Sequence, residues 1–236
     1  FKKTKSASAF TIDSLPPVLT ISNPAGGETL AAGSTLALNW ATVESLPATT
    51  PVRIEYSLDG VTWTLLGDYE LNGPTNFSLP QASSSIAQIR FTATDLAGNK
   101  TAVTSAPFTI DYTPPTVSAV TTTLAAGSYK VGQVIPINIQ FNENVVVTGT
   151  PLLTLNTTPT HRVVNFTSVT ANNARFDYTV QATDTASVLE TLSTAALTLN
   201  GGTIKDIVGN VALLTLPTPT GAHSLSIGKT IVIDTT

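Results

Sequence analysis

The chain has 236 residues and contains neither cysteine nor methionine. The missing cysteine removes disulfides, thiolate catalysis and Cys-based zinc sites at one stroke. Charge is scarce too, at 11% of residues, where about a quarter is usual. The net charge is −4, and the 11 Lys and Arg are scattered apart from Lys2, Lys3 and Lys5. That distribution lacks the basic patch a nucleic-acid partner requires. No apolar run approaches the ~20 residues that span a bilayer, so membrane insertion is not expected. Long Ala, Glu, Lys and Leu stretches at helical period are missing as well. With no signal peptide and no initiator Met, the chain reads as processed or as a piece of a longer one.

What is present is Thr, Ser, Asn, Val and Leu, with a hydrophobic fraction of 42%. β-Branched residues fit a pleated surface and Ser, Asn and Gly punctuate it, so the expected class is all-β. Strand-like runs fall at 18–22, 35–42, 52–58, 61–69, 76–79, 87–95 and 106–111. Further runs fall at 117–122, 134–142, 152–156, 163–168, 175–181, 197–205, 211–216 and 230–234. Alternation in Leu36-Ala-Leu-Asn-Trp40 and Ile89-Arg-Phe-Thr-Ala93 turns one face of each strand inward. Seven short strands over about a hundred residues is the pattern of an immunoglobulin-like or fibronectin-III-like sandwich.

Two elements recur. Phe10-Thr-Ile-Asp13 precedes Pro16-Pro17, Phe108-Thr-Ile-Asp111 precedes Pro114-Pro115, and the chain stops after Ile231-Val-Ile-Asp234. Each reads as a last strand, an acidic residue at its end and a stiff Pro-Pro hinge, because proline removes a ladder donor and fixes φ. Internal recurrence of this kind marks an array. The expected division is 1–13 as the last strand of an upstream repeat, 14–112 as one sandwich and 113–236 as a second. The stretch 213–228 has no counterpart in the first sandwich.

The second recurrence is Asp95-Leu-Ala-Gly-Asn99 and Asp206-Ile-Val-Gly-Asn210. Counting strand directions places this loop, and the one after the second strand, at the end where the chain comes in. Asp13, Glu44, Asp95 and Asn99 should then face the first hinge, and Asp111, Glu143, Asp206 and Asn210 the second. Clustered carboxylates repel, and a hard cation reverses that sign. Ca²⁺ takes six to eight oxygens from carboxylates, amides, backbone carbonyls and water. The same pattern is also a good turn, in which Asp caps backbone donors while Gly and Asn tolerate positive φ. Both readings stand at this point.

The segment GSYKVGQVIPINIQFNENVVVTGTPLLTL, then FDYTVQATDT, then LTLNGGTIKDIVGN and IVIDTT resembles the Ig-like repeats of giant bacterial surface adhesins. The first sandwich, in PAGGETLAAGSTLALNW and IRFTATDLAGN, resembles the Ig-like or fibronectin-like modules that accompany them. The resemblance implies two tandem immunoglobulin-like β-sandwich domains serving as a calcium-stiffened stalk, extracellular, on a bacterial surface or secreted. Its partners would be the neighbouring repeats. A Cys-free, Thr-rich all-β composition points to the same compartment.

Other chemistry is thin. His161 and His223 have no acidic or serine partner at a recognisable spacing, so no catalytic role is expected. Ser57-Leu-Asp-Gly-Val-Thr-Trp63 falls one residue short of an Asp-box and reads as a hairpin turn. The rival to a stalk is a glycan- or protein-binding module, with Trp63, Tyr56 and Tyr69 as candidate stacking rings. A Lys–Asn covalent cross-link through Lys130, Lys205 or Lys229 is a further alternative.

Overall fold

The computed structural model describes residues 12–43, 52–70 and 72–235. Internal contacts divide the chain into two units, Phe1–Tyr112 and Thr113–Thr236. Among the described residues both are built from strands and turns without a helix. The expected upstream strand at 1–13 lies almost entirely outside the described residues.

The first unit holds β1 (Val18–Asn23), β2 (Thr29–Ala31), β3 (Thr35–Val43), β4 (Val52–Ser57) and β5 (Thr64–Tyr69). It continues with β6 (Thr75–Ser78), β7 (Ser84–Thr94), β8 (Lys100–Thr104) and β9 (Phe108–Asp111). One sheet has the order β1-β3-β6 and the other β2-β9-β7-β4-β5, with β8 also on β7. This is an immunoglobulin-like sandwich. The alternation read from the sequence puts Leu36, Leu38 and Trp40 of β3 against Ile89, Phe91 and Ala93 of β7, all buried.

Two details depart from the sequence reading. β2 is a short additional strand that pairs in parallel with β9. The final strand comes in two pieces, and β8, beginning directly after the Gly-Asn loop, was not expected. Ser105 makes the break: its N–H donates to the Ile89 carbonyl at 2.8 Å, while its Oγ accepts the Ile89 N–H at 3.1 Å. Pro107 then has no donor to continue the ladder.

The second unit holds β10 (Val117–Thr122), β11 (Gly127–Tyr129), β12 (Val134–Phe141), β13 (Val146–Thr148) and β14 (Leu152–Thr154). It continues with β15 (Val163–Thr170), β16 (Asn173–Thr179), β17 (Leu197–Thr198), β18 (Thr203–Lys205) and β19 (Ile231–Ile233). The main sheet runs β10-β12-β16-β15-β14-β17, with β11-β19 and β13-β18 as separate pairs. Ile135, Ile137, Ile139 and Phe141 of β12 meet Phe176, Leu153, Ile204 and Ile231 in a core of their own. The run read as one strand over 197–205 is cut in two by Asn200-Gly201, whose positive φ values of 49° and 77° turn the chain back. The run 211–216 makes only isolated bridges, Lys205 to Val211 and Thr116 to Leu213.

The stretch 213–228 is folded onto the second unit by a buried carboxylate. Glu190, 1% exposed, accepts at Oε1 from Thr220 N–H, Ser224 Oγ and Ser226 N–H at 3.2, 2.9 and 2.9 Å. The same stretch lends the His223 carbonyl to Val120 N–H of β10, at 2.9 Å. Lys229 Nζ donates to the Thr122 carbonyl at 3.0 Å. Removing the carboxylate strands three donors, and hydrogen bonds to charged groups contribute about 1.5–3 kcal/mol each at most. Glu190→Ala should therefore cost roughly 2–3 kcal/mol of unfolding free energy, read from a lower urea midpoint at unchanged slope. Glu190→Gln retains the Oε1 acceptor and should cost clearly less; equal losses would show that Oε1 is not the anchor.

Candidate metal centre

Asp95 directly follows β7, is 5% exposed, and organises the loop that follows. Its Oδ1 accepts Asn99 N–H and its Oδ2 accepts Asn99 Nδ2, both at 2.8 Å. Asp95 N–H donates to the Asn99 carbonyl at 3.0 Å, and Gly98 supplies the turn with φ at +91°. Burial pushes the Asp95 carboxyl up, but hydrogen bonds from Asn99 and from the backbone of Ala97 and Gly98 outweigh it and hold it below its ordinary value.

The loop also grips the chain as it comes in. Asn99 Nδ2 reaches the Asp13 and Leu15 carbonyls at 3.3 and 3.4 Å. Thr101 Oγ1 donates to the Pro17 carbonyl at 2.6 Å, and Asp13 Oδ1 caps Leu15 N–H at 3.0 Å. The Pro-Pro segment cannot offer its own donors there, so side chains of the loop and of β8 come to its carbonyls instead. Glu44, expected beside this cluster, lies outside the described residues.

Asp206 repeats the design in the second unit. It is 4% exposed; Oδ1 accepts Val208, Gly209 and Asn210 N–H at 2.9, 2.6 and 2.9 Å, and Oδ2 accepts Asn210 Nδ2 at 2.8 Å. Gly209 has φ at +110°, and Asp206 N–H returns to the Asn210 carbonyl at 3.1 Å. Leu213 N–H binds the Pro115 carbonyl at 2.8 Å, and Thr116 N–H binds Asn142 Oδ1 at 2.7 Å, so this unit also holds its incoming segment. Glu143, half-buried after β12, brings a carboxylate oxygen within 4.8 Å of one on Asp206. Asp111 is the last residue of β9 and is half-buried.

The donor set fits a hard cation on one test. Four N–H groups already orient the Asp206 carboxylate, leaving Oδ2 the less crowded oxygen, and Glu143 adds a second carboxylate beside it. Two carboxylates at this separation repel. Ca²⁺ would be held by one oxygen from each, with backbone carbonyls and water completing six to eight ligands.

The remaining sequence candidates fall elsewhere. Tyr56 packs on Phe77 at 5.1 Å and Tyr69 on Trp40 at 5.9 Å between ring centroids, so neither shares an exposed row with Trp63. Trp63 lies under the Arg90 guanidinium, 4.2 Å from its centroid, and Arg90 Nη2 pairs with Glu55 at 2.8 Å. The Asp59 turn is an Asx cap: Oδ1 accepts Val61 and Thr62 N–H at 2.8 and 2.6 Å. Those bonds hold the Asp59 carboxyl far below its usual range. His161 Nδ1 engages the Thr157 carbonyl at 3.0 Å.

One cluster escaped the sequence reading. Asp184, fully buried, binds Arg162 Nη2 at 2.7 Å, Tyr178 Oη at 2.7 Å and Gln181 N–H at 3.1 Å. These partners are spread along the chain with no motif between them.

No family profile matches the chain, and no curated protein matches it. Among solved structures, the fibronectin(III)-like modules of CbhA from Clostridium thermocellum align over 92% of this chain and 94% of theirs, at 12% identity and a TM-score of 0.32. A marsupial T cell receptor aligns over 81% of this chain and 59% of its own, at 15% identity and a TM-score of 0.32. At this level of similarity neither speaks to a ligand or a role. The class is therefore set by the topology itself: two consecutive immunoglobulin-like sandwiches.

Proposed function

We propose that the chain is a non-catalytic spacer segment of an extracellular bacterial surface protein, two modules of a longer array, with Ca²⁺ bound where each module receives the chain. The supporting observation is that each unit carries the same Asp-x-x-Gly-Asn loop and hydrogen-bonds its own incoming Pro-Pro segment, through Asn99 and Thr101 in the first and through Leu213 and Asn142 in the second. A module of this kind fixes how the chain enters it. Glu143 and Asp206 are the proposed ligands in the second unit, with Asn210 positioning Asp206. Asp13, Glu44 and Asp95, with Asn99 as positioning residue, are the proposed counterparts in the first. Binding only to the folded state stabilises it by about 2.7 kcal/mol when free Ca²⁺ stands a hundredfold above Kd.

Melting in millimolar Ca²⁺ should then exceed melting in EDTA by about 5 °C or more, with no such gain in Mg²⁺. Asp206→Lys should remove the gain in the second unit, while His161→Ala should leave it intact. Identical melts in Ca²⁺ and EDTA would sink the cation and leave both loops as clasps alone.

A further inference from the structure

β10 is the end strand of the second unit's main sheet and pairs with β12 on one side only. An end strand turns a row of backbone donors and acceptors outward. Two bonds show which residues of β10 do so. Val120 N–H donates to the His223 carbonyl at 2.9 Å, and the Thr122 carbonyl accepts Lys229 Nζ at 3.0 Å. β12 agrees: Phe141 N–H goes to the Asn172 carbonyl at 2.8 Å, away from β10. Backbone direction alternates along a strand, so Ile139 and Ile137, the partners of Val120 and Thr122, also face away from β10. The Thr122 N–H therefore points to the outer edge, and it donates to no described residue. Thr122 is 6% exposed, and a buried N–H without an acceptor is rare.

Between this edge and the turns of 222–229 lies a cavity of about 380 Å³, within the size range of ligand sites. Ala119, Val120, Ala222, Leu225 and Ile227 make most of its lining apolar. Val120 and Leu225 belong to the unit's core, while Ile227 is a large apolar side chain left 56% exposed. Among the described residues lining the cavity, Lys229 alone carries a fixed charge. It enters no ion pair with a described residue. Glu190 binds Ser224 but is not part of the lining, and three donors offset the charge on its Oε1.

An apolar recess with one unpaired cation and one spare amide at its edge is complementary to a small carboxylate with an apolar tail. We infer that the β10 recess binds a medium-chain fatty acid anion. The carboxylate accepts from Lys229 Nζ and from Thr122 N–H, two donors that adjoin because Nζ already rests on the Thr122 carbonyl. The chain lies along Ile227 toward Leu225 and takes that apolar surface out of water. An alcohol of the same length forgoes the charge-assisted bonds, and an amine meets Lys229 as a like charge.

The test titrates sodium octanoate, in EDTA, into the isotopically labelled full chain. A Kd of about 1 mM or tighter is expected, with the Thr122 amide resonance moving on binding. Affinity should fall about fourfold for each methylene removed on going to hexanoate. Octan-1-ol and octylammonium at the same concentration should move the Thr122 amide by less than about a tenth of the octanoate shift. Lys229→Met keeps an apolar stem; it should weaken octanoate at least tenfold and leave the melting temperature unchanged. Ile227→Asn should weaken it about fourfold or more. No binding at millimolar octanoate would overturn the inference, as would equal binding of octan-1-ol or full affinity in Lys229→Met. So would tighter binding of N-acetyl-leucine, which would make the recess a receptor for a peptide C-terminus.

Discussion

Replacing Asp184 by alanine should lower the melting temperature of the second unit by about 10 °C or more. The side chain is fully buried and takes Arg162, Tyr178 and Gln181 on its two oxygens, and its backbone carbonyl accepts Thr235 Oγ1 at 3.0 Å. Removing it leaves a buried phenol without its acceptor and a guanidinium facing a cavity. Breaking a buried pair costs about 3–5 kcal/mol; since Arg162 reaches solvent, the lower half of that range applies. For a unit of this size a loss of 3 kcal/mol is roughly 10 °C. Acid adds a second signature. Burial pushes the Asp184 carboxyl up, but hydrogen bonds from Arg162, Tyr178 and Gln181 hold it below its ordinary value. A carboxyl lowered by folding contributes stability above its unfolded pKa of about 3.9 and loses it as pH falls through the lower folded value. The native chain should thus lose stability below about pH 4 more steeply than Asp184→Ala. Parallel acid profiles would mean the carboxylate is not the source.

Phe91→Ala is the matching experiment in the first unit, with an expected cost of about 3–5 kcal/mol. Its ring is fully buried between the sheets, 5.5 Å from the Trp40 ring, in a core that shares no residue with the other unit's. Both tryptophans of the chain, Trp40 and Trp63, lie in the first unit. Tryptophan fluorescence therefore follows that unit alone. Phe91→Ala should lower the fluorescence transition, and Asp184→Ala should leave it in place while calorimetry shows the second unit melting earlier. A fluorescence transition that moves equally in both variants would mean the units unfold as one.

Much of the sandwich was legible because its strands are amphipathic over long stretches: Leu36 to Trp40 and Ile89 to Ala93 alternate plainly, and burial follows. The misreadings are local. β8 begins within a residue of a turn, so its pattern is too short to separate from the loop. The run over 197–205 is apolar enough to read as one strand, yet Asn200-Gly201 carried the turn signal that divides it. The Asp-x-x-Gly-Asn loops could be found because turn chemistry is written in adjacent residues. Arg162, Tyr178 and Asp184 could not, because their meeting depends on where β15 and β16 separate. Glu190 is the same case: a lone acidic residue in sequence, meaningful only once 213–228 folds back over it.

Each unit also has a short early strand paired in parallel with its own last one, β2 with β9 and β11 with β19, three residue pairs apiece. Further bonds extend both seams, from Gly27 N–H to Pro107 and from Asp234 N–H to Tyr129, at 2.8 and 3.1 Å. Antiparallel strands pulled from a shared end unzip, each bond breaking in turn. Parallel strands drawn from opposite ends must slide, and every bond in the seam carries load at once. Tension along the chain that reaches β2 and β9, or β11 and β19, therefore meets the seam in shear. A module joined to its neighbours through both termini would hold its shape under pull well beyond what three rungs opened in turn could withstand.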